Sequence, residues 1–202
     1  MDITATNEKR KTLTELLTRI AKEINIPFTV GGGITSVEDV SVLLQAGADK
    51  ISVNSAAIKN HTLINDLAHQ FGSQCVVAAM DIKFEMNDWY VYLNGGRVRT
   101  ELKAKEWAKQ VADSGAGEIL LTSMDNDGTE KGFALEITAA ISSSVNVPVI
   151  ASGGAGCMED FVNVFTIGKA DGALAASVFH FKEIAIPELK KYLKNNNIKM
   201  RI

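Results

Sequence analysis

The chain has 202 residues, 46% of them hydrophobic and 22% charged, enough to bury one full core as a single domain. Its formal charge of −3 leaves no basic footprint for nucleic acid, and its cations are interspersed with acids, as in Glu8-Lys9-Arg10-Lys11. No apolar run approaches the ~18 residues of a membrane helix; Met1-Asp2-Ile3-Thr4 does not read as a signal peptide, and Cys75 and Cys157 show no metal-ligand spacing, so a soluble protein of the reducing cytoplasm is expected.

In chain order, Met1-Asp2-Ile3-Thr4 reads as the last turn of a strand. Helical periodicity follows over 10–24, 37–46, 62–71, 103–114, 135–143, 158–167 and 187–194, with several helices stopping at Gly, as at Ala46-Gly47-Ala48. Between them lie short apolar runs of the kind buried on both faces, at 28–30, 50–53, 75–80, 118–122, 149–152 and 172–176. One stretch breaks the rhythm: Trp89-Tyr90-Val91-Tyr92-Leu93 followed by Asn94-Gly95-Gly96 predicts a β-hairpin inserted at about 82–98.

Two parts of the chain copy one another. Asn25-Ile26-Pro27-Phe28-Thr29-Val30-Gly31-Gly32-Gly33 aligns with Asn146-Val147-Pro148-Val149-Ile150-Ala151-Ser152-Gly153-Gly154, and Ala48-Asp49-Lys50-Ile51-Ser52-Val53-Asn54-Ser55 with Ala170-Asp171-Gly172-Ala173-Leu174-Ala175-Ala176-Ser177. Each copy reads as strand, Gly-rich turn, helix, strand and small polar turn, a duplicated half-domain rather than a solenoid unit. Glycine backbone at a strand end lets N–H groups close on a phosphate, so two copies suggest a substrate phosphorylated at both ends. Strict alternation with polar strand ends predicts an α/β fold, a (β/α)8 TIM barrel built from half-barrel repeats; a doubly wound sheet is the alternative. Six strands and a stub fall short of eight, and about 50 residues are missing against a typical barrel. The expectation is therefore one partial barrel domain over 1–202, N-terminally truncated by the first strand, first helix and most of the second strand, with Met1 an internal methionine or the result of a broken gene.

Acids stand where strands end: Asp2, Asp81, Asp125 and Asp127. Asp81 follows five apolar residues, so it reads either as a partly desolvated general acid–base or as an ordinary turn aspartate. Asp127-Gly128-Thr129 reads either as a plain turn or as a hydroxyl-binding carboxylate beside a phosphate-binding backbone. His61, His69 and His180 read as structural, and no Ser/His/Asp set, nucleotide P-loop or metal cluster emerges.

Phe28-Thr29-Val30-Gly31-Gly32-Gly33-Ile34, Phe71-Gly72-Ser73-Gln74, Gly115 to Ser123, Asp127-Gly128-Thr129, Ala151-Ser152-Gly153-Gly154-Ala155-Gly156 and Ala175-Ala176-Ser177-Val178-Phe179-His180-Phe181 closely resemble the cyclase subunits of imidazole glycerol phosphate synthase. The resemblance runs from Asp2 to the C-terminus; the sister phosphoribosyl-formimino isomerases share the repeat and the Asp-Gly-Thr turn but would not be expected to carry the Phe-Gly-Ser-Gln segment. It implies an enzyme without cofactor or metal. Ammonia from a glutaminase subunit closes the imidazole ring of a bisphosphorylated ribulosyl-formimino-aminoimidazole carboxamide ribonucleotide, giving imidazole glycerol phosphate and the aminoimidazole carboxamide ribotide for histidine synthesis. It further implies Asp81 as one of two catalytic aspartates, one phosphate cradle at Gly33, Asn54 and Ser55, and the other at Gly128, Gly153, Gly154, Ala176 and Ser177. Asp2, Thr122, Asp127 and Ser152 would contact sugars or linking groups, Lys50 and Glu118 would belong to a charged ammonia gate, and Asp49 and Gln74 would face the glutaminase. The family's other catalytic aspartate, its substrate-covering loop and two further gate residues would precede Asp2, so this chain is expected to be catalytically crippled. The competing expectations are a non-catalytic barrel remnant that binds phosphates or a glutaminase, and an enzyme of another kind, either a phosphoribosyl-formimino isomerase-like barrel or a paralogous ammonia-dependent amidation enzyme.

Overall fold

A computed structural model describes residues 7–201, with side chains from residue 14 onward. The strand stub expected at 1–4, and with it Asp2, lies outside the described residues.

The described chain runs α1 (Asn7–Glu23), β1 (Thr29–Gly31), α2 (Val37–Gln45), β2 (Lys50–Val53), α3 (Ser55–Lys59), α4 (Leu63–Phe71), β3 (Val76–Glu85), β4 (Asp88–Leu93), β5 (Val98–Lys103), α5 (Ala104–Asp113), β6 (Glu118–Ser123), α6 (Leu135–Ser142), β7 (Val149–Ser152), α7 (Met158–Thr166), β8 (Gly172–Leu174), α8 (Ser177–His180) and α9 (Ile186–Asn195). Six strands lie parallel in the order β1-β2-β3-β6-β7-β8. Each crossover between them carries at least one helix, the pattern that coats one face of a parallel sheet and curls it into a (β/α)8 barrel wall.

Strand side chains alternate between two environments. Ile51, Val53, Val76, Ala78, Met80, Ile119, Leu121 and Val149 pack with Leu43, Leu67, Trp107 and Val111 of the helices in the larger core. The alternate positions, among them Lys50, Ser52, Val77, Ala79, Asp81, Glu118 and Thr122, stand outside that core and face the barrel interior. A period of two along a strand dictates this division. A second, smaller core around Phe161, Val164, Val178 and Leu189 packs α7, α8 and α9 behind β7 and β8.

The two copies share their fastenings. Asp39 reaches back to the N–H groups of Thr35 and Ser36 (2.9 and 3.2 Å) at the start of α2, while the Ser36 hydroxyl accepts from Asp39 N–H. Asp160 does the same to Gly156 and Cys157, both at 2.9 Å, at the start of α7. These are reciprocal caps that satisfy otherwise orphaned donors. A second device is also duplicated: Asp49 accepts from Phe28 N–H at 3.0 Å, and Asp171 from Val149 N–H at 3.0 Å, each tying the entrance of one strand to the entrance of its neighbour.

Three features differ from expectation. The short helices α3 and α8 occupy positions read as polar turns, being too brief to show a helical period. β8 ends at Leu174, two residues before the predicted end. The region expected to be a separate hairpin is an extension of the barrel itself. β3 runs ten residues, pairs with β6 up to Ile82↔Ser123, and from Asp81 onward also pairs antiparallel with β4, which in turn pairs with β5. Its first turn is Met86-Asn87, both with positive φ (50° and 64°), the geometry of a type I′ connection.

Candidate functional site

Asp81 stands where β3 passes from barrel to ribbon, with Tyr92 of β4 on one side and Thr122 of β6 on the other. Asn54, at the end of β2, donates from Nδ2 to Asp81 Oδ2 at 3.0 Å. Burial lifts the Asp81 carboxyl above the ordinary carboxylate value; the charge of Asp127 adds to the lift, and the Asn54 bond opposes it. The result is a half-buried acid that holds its proton to higher pH than a surface aspartate does.

Two cavities open at this end of the strands. The first, of about 510 Å³, is lined by the predicted Gly33, Asn54, Ser55 and Asp81. The second, of about 210 Å³, is lined by Asp127, Gly128, Ser152, Gly153, Gly154, Ala176 and Ser177, the residues predicted for the other half. Between them runs one row across the sheet, Asp81↔Thr122↔Ser152, so the half-buried Thr122 sits at the midpoint rather than in either cavity. Gly154 (φ +104°) has no room for a side chain: a Cβ there would lie 2.1 Å from Gly132 O, and Gly132 N–H donates back to Gly154 O at 2.7 Å. That close approach holds the loop after β6, which carries Asp127, against the β7–α7 turn. Asn126 braces the same loop from inside, its side chain meeting Ser123 Oγ at 2.8 Å and Gly132 O at 2.9 Å.

Lys50 and Glu118 meet in an ion pair at the opposite end of the barrel. They lie on β2 and β6, which are not neighbours, so the pair reaches over β3 within the interior. Gln74 is exposed in the turn just before β3, at this same end. Asp49 is exposed beside Lys50, and its carboxylate also has the latch role given above, which its position alone did not disclose.

Four further residues belong to this geometry. Ser52 lies between Lys50 and Asn54 on the interior face of β2; it is 7% exposed, and its hydroxyl has no hydrogen-bond partner. A polar residue two positions from Lys50 in an apolar strand was the available signal. Lys59 and Arg97 line the first cavity, and Asn94 N–H donates to Ser55 Oγ at 2.8 Å, docking the turn after β4 over α3. Nothing local in the sequence connects residues 94–97 with 55–59. Among the described residues no three of His, Cys, Asp or Glu are placed to hold a metal ion, and no helix is long and apolar enough to cross a membrane.

The family model described as "Histidine biosynthesis protein" matches residues 1–185. Over 202 residues the chain is 60% identical to a Flavobacterium johnsoniae protein named imidazole glycerol phosphate synthase subunit HisF, covering 100% of this chain and 80% of that relative. Proteins of the same name from Cytophaga hutchinsonii and Bacteroides fragilis are 61% and 57% identical over 201 residues, each again spanning 100% of this chain and 80% of the relative.

Proposed function

The chain belongs to the histidine biosynthesis protein family, alongside HisF, the cyclase subunit of imidazole glycerol phosphate synthase, and on that premise we propose how its geometry serves ring closure. The substrate is the bisphosphorylated ribulosyl-formimino-aminoimidazole carboxamide ribonucleotide. One phosphate rests against Gly33, Asn54 and Ser55, the other against the Gly128, Gly154 and Ser177 backbone and hydroxyl, and the linking groups cross the Asp81–Thr122–Ser152 row.

Asp81 moves the protons. Ammonia addition and loss of water require proton transfer, and a carboxyl raised by burial suits a group that both gives and takes a proton better than an exposed one does. Asn54 keeps the accepting oxygen aimed into the site. Asp127, whose charge reaches Asp81, binds substrate hydroxyls at the second cavity. Ammonia enters from the far end past Lys50 and Glu118, where a glutaminase subunit docks against Asp49 and Gln74, and the unpartnered Ser52 hydroxyl offers it a hydrogen bond on the way to Asn54 and Asp81. The observation that carries this reading is the position of Asp81: a half-buried acid where β3 leaves the barrel wall, lining one cavity and joined through Thr122 and Ser152 to the next.

The test uses the protein expressed from its own gene, supplied with the ribulosyl ribonucleotide and an ammonium salt. The expected result is binding of the ribonucleotide; imidazole glycerol phosphate and the ribotide, where they form, appear in equal amounts, and their formation is lost in Asp81→Asn. Failure of the wild-type protein to bind the ribonucleotide would sink the reading.

A further inference from the structure

The first cavity holds two cations that the reading above leaves unused. We propose that Arg97, assisted by Lys59, is the charge-bearing part of the first phosphate cradle and makes that cradle the tighter of the two; the inference rests on the function proposed above. Arg97 lies in the turn between β4 and β5, where its own N–H donates to Leu93 O at 3.0 Å and closes the turn. The Asn94–Ser55 bond fixes that turn over the cavity, so Arg97 is brought to the phosphate site by a docked element rather than by a free loop. Lys59 approaches from the last turn of α3. Neither side chain has an ion-pair partner among the described residues.

An independent observation points to a ligand at the same place. Ser52 Oγ and Asn54 Oδ1 are buried, line this cavity and have no hydrogen-bond partner. Unpaired buried polar atoms are costly; the Ser52 hydroxyl can donate to a phosphate oxygen, while Asn54 Oδ1, an acceptor, calls for an N–H or O–H of the same substrate. The second cavity is built otherwise: its charged lining residues are Asp127 and Glu130, with no cation. There a phosphate meets only backbone and hydroxyl donors beside two acids, whereas at the first it meets a guanidinium able to bind two oxygens at once. The two ends of the substrate are therefore held unequally.

Two probes test this by equilibrium binding with ammonia absent: inorganic phosphate and the bisphosphorylated ribulosyl ribonucleotide. Arg97→Gln is expected to weaken both by about tenfold, as for loss of a charge-assisted contact, and Lys59→Gln by roughly twofold to threefold. Arg97→Lys should restore most of the affinity, and because Arg97 is exposed, an unchanged denaturation midpoint shows that the fold is intact. If Arg97→Gln binds both probes within twofold of wild type, the proposal is overturned while the cyclase reading stands. If the wild-type protein binds inorganic phosphate in an Arg97-dependent way but not the ribonucleotide, the charged cradle is real and the cyclase reading falls.

Discussion

The segment from β1 to α3 and the segment from β7 to α8 share one backbone plan and carry different chemistry. Both use a reciprocal cap from a helix aspartate and a strand latch from Asp49 or Asp171, and in both the first strand gives way to glycines with positive φ. The interior side chains diverge. Where β2 presents Lys50, Ser52 and Asn54, the aligned positions of the second copy are Gly172, Leu174 and Ala176. One copy thus keeps the ion pair, the orphaned hydroxyl and the partner of Asp81, while the other keeps a smaller cavity walled by backbone. Frame and function are separable here: hydrogen bonds to main chain were retained in both copies, and side chains facing the bore were free to differ.

The sharpest way to break this comparison is at Asp81. Asp81→Asn is expected to lower ammonia-dependent turnover by roughly 10²- to 10⁴-fold while the ribonucleotide still binds. Removing the second copy's hydroxyl in Ser152→Ala should cost about tenfold or less, the scale of one neutral hydrogen bond. The pH dependence of stability offers a second readout. Because the folded state raises the Asp81 pKa above its ordinary 3.8, folding favours the protonated form. Its contribution to stability therefore falls as pH rises from below that value through the folded pKa, then levels off. Asp81→Asn should be more stable than wild type near neutrality, with the advantage shrinking in acid; a constant difference across pH would count against a strained carboxylate.

Next come the glycines. Gly154→Ala should cost roughly 3–5 kcal/mol in urea denaturation, since positive φ and collision with Gly132 O combine. Gly33→Ala, at φ 69°, should cost only about 1–2 kcal/mol for the left-handed backbone. Equal costs would mean that the two turns are more alike than their packing indicates.

The latches sharpen the comparison from the other side. Asp49→Ala and Asp171→Ala should each lose about 1 kcal/mol, and to a similar degree, because each removes one acceptor from one strand-entry N–H. Only the Asp49 substitution should also weaken glutaminase docking, measured by titrating the partner. Smallest of all is the Lys50–Glu118 pair. It is a quarter exposed, so Lys50→Met should change stability by less than about 1 kcal/mol, yet alter glutamine-dependent turnover without affecting turnover driven by added ammonium.

Much of the wall was legible in the sequence. Runs such as Val149-Ile150-Ala151-Ser152, bounded by Pro148 and Gly153, allow little but a buried strand, and Asp81 was conspicuous because a carboxylate ends an apolar run. What escaped the reading depends on distance along the chain. Residues 82–85 look like the first arm of a separate hairpin, and only the register shared with Ser123 reveals them as a barrel strand continued outward. Arg97 reaches the first cavity from a turn some forty residues beyond Ser55, a meeting that no local pattern encodes. The latches escaped for the opposite reason. Asp49 and Asp171 lie inside the aligned repeat, but an aspartate at a strand entrance looks equally like a surface charge until its bond to the preceding strand is seen.

Those latches carry a consequence for ancestry and for engineering. Each one closes within its own copy, from β2 back to β1 or from β8 back to β7, and so does each helix cap. Among the described residues no fastening of either kind straddles the border between copies. A strand–helix–strand unit wired in this manner is portable: it can be doubled, fused or exchanged between barrels as a cassette, its internal alignment travelling with it, and only the bore-facing side chains then need retailoring to the new occupant.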